Sequence, residues 1–256
     1  MNASTDPGRQ RRTAFVTGAA TGIGAAIAVA LARNGYDVAV SARQAERLAD
    51  TEKQISALGA HAVPLALDLS ALEEIEPAVE KVFQAFGRID VLVNNAGATL
   101  RKPVLEVTPD EWESVMQPNL KGTFFLCQKA GRRMIERGTA GCIINLASAH
   151  GVVGFPNRSV YGISKAALIH MTRMLAIEWA GYGIRVNAIA PGTVETASRA
   201  EILADPKVKE TMLNRVPLHR FATPLEIADA VCFMASPAAA YMTGQTLMFD
   251  GGLTAY

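Results

Sequence analysis

Seven short runs of apolar, largely β-branched residues recur along the chain: TAFVTG (13–18), DVAVSA (37–42), AHAVPLAL (60–67), IDVLVNN (89–95), GCIINLAS (141–148), IRVNAIAP (184–191) and GQTLMFDGG (244–252). Most are apolar throughout, the pattern of strands buried on both faces. Between most of them lie stretches of helical spacing such as GAAIAVALARNGY (24–36) and AERLADTEKQISALG (45–59). Each of these is closed by a glycine just past its last periodic residue. Strands and helices in alternation predict an α/β fold: one doubly wound parallel sheet of about seven strands with helices on both faces.

Within VTPDEWESV (107–115), Thr108 stands where a helix cap belongs, Pro109 fits the first helical position and Glu111 completes a capping box. The helix begun there runs towards residue 137 and meets Pro118 midway, where a ring without an N–H predicts a bend. Residues 192–223 break the alternation, so a substrate-loop insertion is expected near 193–223, as a lid or binding loop or else disordered. The polar, basic start, residues 1–12, lacks the apolar stretch of a signal peptide and reads as a disordered tail. Residues 13–256 are then a single domain.

Half of the 256 residues are hydrophobic, enough for one large core at a length where a sheet covered on both faces makes one domain. No apolar run reaches the roughly eighteen residues that span a bilayer, which predicts no membrane span and, without a secretion signal, a cytoplasmic protein. Cys127, Cys142 and Cys232 are odd in number, far apart and in apolar contexts, so buried free thiols are expected. The net charge of +1 is spread over both signs, which excludes the basic footprint of a nucleic-acid binder. His61, His170 and His219 have no metal-ligand spacing with carboxylates or thiols, and no metal is expected.

Two stretches carry chemistry. The turn TGAATGIG (17–24) sets Gly18, Gly22 and Gly24 between a strand and a helix, where they permit a tight turn, backbone approach to a pyrophosphate and close helix–strand packing. In SVYGISKAAL (159–168), Tyr161 and Lys165 lie one helical turn apart. By itself that pair also fits an ordinary amphipathic edge.

With NNAG (94–97), Ser148, YGISK (161–165) and PGTVET (191–196) in this order, the chain resembles the short-chain dehydrogenase/reductase superfamily from Thr13 to Gly252. Its shorter branch, which includes 3-oxoacyl carrier-protein reductases, is the most similar. The resemblance implies a Rossmann-type fold and a catalytic set of Asn119, Ser148, Tyr161 and Lys165. Tyr161 would exchange a proton with the substrate oxygen while hydride passes to or from a nicotinamide. Ser148 would hydrogen-bond that oxygen, and Asn119, through its backbone carbonyl, would hold a proton-relay water whose position Pro118 perturbs. Lys165 would hydrogen-bond the nicotinamide ribose and lower the phenol's pKa as a cation one turn away. A shift of about three units from an ordinary value near 10 requires roughly 4 kcal/mol.

For the cofactor, the resemblance implies contacts from Gly18, Thr21, Gly22, Ile23, Gly24, Asn95, Gly97, Tyr161 and Lys165. Asp68 would meet the adenine amino group, with capping of a helix that starts near Ala71 as its alternative role, and Leu69 would cover the ring. Pro191, Gly192, Thr193 and Thr196 would line the carboxamide and pyrophosphate side. Relatives that prefer NAD generally end the second strand in Asp. This chain has Ala42 followed by Arg43, whose guanidinium suits a 2′-phosphate and favours NADP(H). NAD(H) is the other option, because Thr21 stands where many NADP-preferring relatives carry a second basic residue.

Thr99, Arg101, Ala149, His150 and parts of 193–215 are expected to face the substrate, with His150 on a water-exposed rim. Arg101, Glu195 and Arg199 read as solvated loop charges, with recognition of a charged substrate as the alternative. Arg101 and Lys102 hint at a carrier-protein surface. The expected activity is hydride transfer between NADP(H) and a ketone or secondary alcohol, including 3-oxoacyl thioesters. A sugar, sugar-acid or polyol dehydrogenase is the alternative, and a non-catalytic dinucleotide-sensing protein is the rival of another class. The partners implied are a small-molecule carbonyl or alcohol substrate and further copies of the chain. Relatives form homotetramers through the helices containing GTFFLCQKAG (122–131) and ALIHMTRMLAIEW (167–179), although packing against the sheet explains the same apolar residues.

Overall fold

The computed structural model describes residues 11–255. The tail expected over residues 1–12 lies outside the described residues up to position 10. Its last two residues are structured, because Arg11 pairs with Asp37 at 3.2 Å and Arg12 opens the first strand with its guanidinium 4.4 Å from the Tyr36 ring centroid.

All seven expected strands form, most of them a few residues shorter than the apolar runs: β1 (Arg12–Thr17), β2 (Tyr36–Ala42), β3 (Ala62–Ala66), β4 (Val91–Asn94), β5 (Cys142–Leu146), β6 (Arg185–Pro191) and β7 (Thr246–Phe249). They make one parallel sheet in the order β3-β2-β1-β4-β5-β6-β7. Side chains alternate across it, as the pleat requires. Ala14 and Val16 of β1 pack on one face with α1 (Gly22–Arg33) and, from the chain's other end, the helix over 224–235. Phe15 packs on the opposite face with the helices over 72–86, 123–136 and 159–179. Each large side chain sealed between these layers contributes about 1.5–3 kcal/mol by burial.

After β2 come a short 3-10 turn and α2 (Ala49–Ala57), and after β3 comes α3 (Leu72–Phe86). α4 (Pro109–Met116) has the expected capping box, with Thr108 Oγ1 accepting from Glu111 N and Glu111 Oε2 accepting from Thr108 N. The bend at Pro118 is a π-helical turn over Gln117–Gly122, after which α5 (Thr123–Glu136) resumes with Thr123 Oγ1 donating to Pro118 O at 3.0 Å. α6 (Ser159–Trp179) follows β5. The segment 192–223 is more regular than its sequence implies, for it contains α7 (Ala200–Ala204) and α8 (Pro206–Leu213), and Asp205 caps the latter. α9 (Pro224–Ala235) completes the helices.

Cys127 and Cys142 are buried free thiols pushed up by burial to about 12 and about 11. Cys232, expected to be buried too, is partly exposed at the surface of α9. Among the described residues no helix is long and apolar enough to cross a membrane, and no group of His, Cys, Asp and Glu could hold a metal ion.

Candidate active site

The order of the sheet reverses direction between β1 and β4, and the strand ends splay there into a crevice, the place where open α/β sheets bind ligands. Two adjoining cavities of about 480 and 760 Å³ fill it and share Thr21, Asn95, Gly97 and Ala98 in their walls. The larger runs past the ends of β2 and β3, the smaller past those of β5 and β6.

The glycine turn is built as its spacing demands. Gly18 and Gly22 have φ of +66° and +62°, a region that favours glycine. Gly24 is required by proximity instead, since a Cβ there would lie 2.3 Å from Gly18 O and 2.4 Å from Asn95 Nδ2. Asn95 Nδ2 donates to both Thr17 O and Gly18 O at 2.9 Å, so its side chain braces the turn while the residue also lines both cavities. Asn94 ties β4 to β5 through Asn145 Oδ1 at 2.7 Å. Ile23 and Gly24 line the smaller cavity and Gly18 the larger.

Arg43 and Asp68 line the larger cavity, as the sequence reading expects, with Leu69, which is otherwise buried in the core. Asp68 does not cap α3: its Oδ1 accepts from Ser70 N at 2.9 Å in a tight turn, and the cap position falls to Ala71. Arg47 lines the same wall as Arg43 and was missed in the sequence. Neither guanidinium has a hydrogen-bond or ion-pair partner among the described residues. Arg47 is thus a second basic group on that wall, and its spacing of four from Arg43 was the available signal.

Ser148, Tyr161 and Lys165 come together on the smaller cavity, from the end of β5 and from α6. Ser148 is buried and its Oγ accepts from His150 N at 3.2 Å. Lys165 is buried, and its Nζ donates to Leu146 O at 2.7 Å and lies 5.7 Å from the Tyr161 ring centroid. Burial pulls the Lys165 amine down to about 8.

This arrangement corrects the expected electrostatics of Tyr161. Its phenol is shifted up from the ordinary value, because loss of solvent dominates. The opposing influences are the Ser148 hydroxyl and then Arg199 and Arg158, and not Lys165, whose ammonium is turned to the Leu146 carbonyl. Tyr161 is therefore protonated at neutral pH and poised as a proton donor.

Lys165 also carries a stability consequence. The folded protein disfavours its charged form, so the penalty is complete below pH 8. It fades as pH rises through about 8 towards the unfolded value near 10.5. Lys165→Met is expected to be more stable than the parent at pH 7 by up to about 3 kcal/mol and to lose that advantage by pH 10. Calorimetric melting at the two pH values checks this.

Asn119 lines neither cavity. Its side chain is spent on a clamp: Oδ1 accepts from Ala98 N at 2.6 Å, and Nδ2 donates to Ala98 O at 2.9 Å and to Ser164 Oγ at 3.0 Å. The clamp joins the loop after β4 to α6 one residue before Lys165. Gly97 packs against it, since a Cβ would lie 2.9 Å from Asn119 Oδ1.

Pro191, Gly192 and Thr196 line the smaller cavity, but Thr193 does not. Alternation along the extended segment turns Thr193 to a separate cavity beside Arg220 and Asp250 and sets Val194 on the cleft instead. Of the expected substrate-facing residues, Thr99, Arg101 and His150 line the cleft, whereas Ala149 is sealed in the core. His150 is not a water-exposed rim residue. Its ring lies tilted against that of Phe155, centroids 4.1 Å apart, and edge-on to Tyr161 at 5.7 Å, and burial, reinforced by Arg158, Arg199 and Arg215, pushes it down to about 4. It is neutral at physiological pH. Glu195 is exposed and outside the cavity, whereas Arg199 lines it, as does Arg158, which the sequence reading missed. Lys102, the other residue of the carrier-protein hint, pairs with Glu111 at 2.8 Å.

A family-wide sequence model described as enoyl-(acyl carrier protein) reductase matches residues 18–254. The chain belongs to the short-chain dehydrogenase/reductase family. It is thus an oxidoreductase of carbonyl and alcohol groups that works with a nicotinamide dinucleotide. The 3-oxoacyl-(acyl-carrier-protein) reductase FabG of Thermotoga maritima is 40% identical over 242 residues, 94% of this chain and 97% of that protein. Among solved structures, a short-chain alcohol dehydrogenase candidate of Sinorhizobium meliloti superposes with a TM-score of 0.92 at 43% identity, covering 95% and 96% of the two chains. A candidate 2-deoxy-D-gluconate 3-dehydrogenase of Agrobacterium tumefaciens with bound NADP gives 0.88 at 37% identity, covering 96% and 97%.

Proposed function

We propose that this short-chain dehydrogenase/reductase reduces a ketone with NADPH, and that Tyr161 gives the proton. The observation that carries this reading is the single crevice that joins Tyr161, Ser148 and Lys165 to the glycine turn and to Arg43 and Arg47. When bound, the reduced dinucleotide supplies a hydride to the carbonyl carbon. Tyr161 Oη then donates its proton to the carbonyl oxygen, so the ketone becomes an alcohol and the phenolate is reprotonated from solvent. Ser148 Oγ donates a hydrogen bond to that oxygen as charge develops. Lys165, buried at the cleft wall, would hold the nicotinamide ribose. We assign Asn119 a positioning role through its side chain, which fixes Ala98 and Ser164 beside these groups, and its backbone carbonyl would hold the proton-relay water.

The crevice fits a dinucleotide. A Cβ at Gly22 would already touch Thr196 Cγ2 at 3.5 Å, so its absence leaves bare backbone for a pyrophosphate at the start of α1. Gly18, Thr21, Ile23, Gly24, Asn95, Gly97, Pro191, Gly192 and Thr196 are the further contacts we assign, with Asp68 and Leu69 at the adenine. Arg43 and Arg47 would pair with the 2′-phosphate, which selects NADP(H) over NAD(H). The double change Arg43→Ala with Arg47→Ala is expected to reduce the NADPH-to-NADH ratio of kcat/KM by about 10- to 100-fold. An unchanged ratio in steady-state kinetics would remove the phosphate assignment.

As a second reading, the NADP-bound relative named for a deoxygluconate favours a sugar-acid dehydrogenase on the same site. The assembly we propose is a homotetramer in the cytoplasm. It is supported by exposed apolar side chains on the outer faces of α5 and α6, Phe124, Met174 and Ile177.

A further inference from the structure

We propose that the substrate carries a carboxylate close to its reacting carbonyl, bound by Arg158 and Arg199 with Arg101 at the rim. This rests on the carbonyl-reductase reading and specifies its substrate class. Three guanidiniums and the Lys165 amine line the smaller cavity, and no Asp or Glu does. The guanidiniums are also short of partners. Arg199 and Arg101 have no side-chain hydrogen bond or ion pair among the described residues. Arg158 uses only Nη1, to Thr99 Oγ1 at 2.7 Å and Leu100 O at 3.3 Å, which leaves Nη2 and Nε for a ligand.

Like charges gathered in a half-enclosed site oppose one another. Arg158 is half-buried, and its proton affinity is lowered by burial and then by Arg199 and Arg101. A constellation of that kind is unfavourable until an anion enters it, and a carboxylate takes bidentate hydrogen bonds from a guanidinium. The position of the charge relative to the chemistry follows from the shared wall. Arg158 and Arg199 line the same cavity as Tyr161 and as His150, whose ring packs edge-on against Tyr161. The anion site is therefore beside the proton donor. The His150 Nδ1 is buried without a partner and is available for a hydroxyl or oxyanion next to the carboxylate. Val194, Leu203 and Met212 supply an apolar wall for the carbon chain. A carrier-bound thioester has its phosphate at the far end of a long pantetheine arm, remote from the reacting carbonyl, and matches this placement poorly.

The test is kcat/KM with NADPH for matched pairs: 3-oxo acids against their methyl esters, and 5-keto-D-gluconate against D-fructose. A further pair sets a 3-oxoacyl phosphopantetheine thioester against the uncharged N-acetylcysteamine thioester. An acid is expected to exceed its neutral partner by about 10- to 100-fold, and Arg199→Gln and Arg158→Gln are expected to bring that ratio towards one. Neutral members that perform equally, or a ratio that survives both substitutions, would overturn the proposal. So would a charge preference confined to the thioester pair. Binding of D-gluconate and of 3-hydroxybutanoate to the NADP+-saturated protein, measured by calorimetry, separates this inference from the reading beneath it. Acid binding that Arg199→Gln abolishes, with no pair turned over, keeps the anion site and refutes hydride transfer. Turnover of neutral ketones with no acid binding does the reverse.

Discussion

Tyr161→Phe is expected to lower kcat for ketone reduction by about 10²- to 10⁴-fold while the protein still folds and still binds NADPH. The ring of Tyr161 is kept by Phe, so its edge-on contact with His150 survives and only the hydroxyl beside Ser148 is lost. Without that hydroxyl nothing else in the cleft donates a proton comparably. Ser148 is a far weaker acid, His150 is neutral and pushed down to about 4, and Lys165 faces the Leu146 carbonyl. Steady-state loss of reduced-nicotinamide absorbance measures kcat, and fluorescence titration with NADPH shows that the site is otherwise intact. A variant that retained parental turnover would show that the proton comes from elsewhere.

Gly24→Ala is the second large effect. The added methyl would fall 2.3 Å from a backbone oxygen and 2.4 Å from the Asn95 amide, and neither can yield easily. Gly18 O is held in the turn, and Asn95 Nδ2 is the group that braces it. The strain expected from such overpacking is about 1–3 kcal/mol. It falls on the same turn that receives the dinucleotide, so NADPH affinity is expected to drop at least about tenfold for each 1.4 kcal/mol that is specific to the bound state. Chemical denaturation and calorimetric titration report the two quantities separately. Gly35→Ala is the control: it has a positive φ but nothing within 4 Å, so it strains the backbone at the end of α1 without touching the cleft.

The sheet was legible because its strands are buried on both faces and therefore read as apolar runs. The capping box at Thr108 and the bend at Pro118 were legible because each is a local rule. α8 was not, since none of its residues is buried and a helix held by its cap leaves no apolar stripe to read. The catalytic set and the glycine turn stood out by spacing within one element. Their company in the cleft did not: Arg199, read from the sequence as a loop charge or a substrate contact, meets the unforeseen Arg158 only through the fold. Thr193 was misplaced by a single step of alternation, with Val194 taking the cleft side. The electrostatics of Tyr161 could not be read from its spacing to Lys165. The sign depends on burial, which outweighs the Ser148 hydroxyl and the two guanidiniums and leaves no trace in that spacing.

Proton donation by a phenol that stays neutral at working pH has a simple counterpart, direct delivery of hydride to the ketone carbon. The decisive measurement is the mass of the alcohol formed from a ketone by NADPH deuterated on the transferring face of nicotinamide C4. The account predicts one deuterium on the carbinol carbon, and none there when the only deuterium is in the solvent. Label released to water, or cofactor that binds and never passes its deuterium to any ketone, would contradict it.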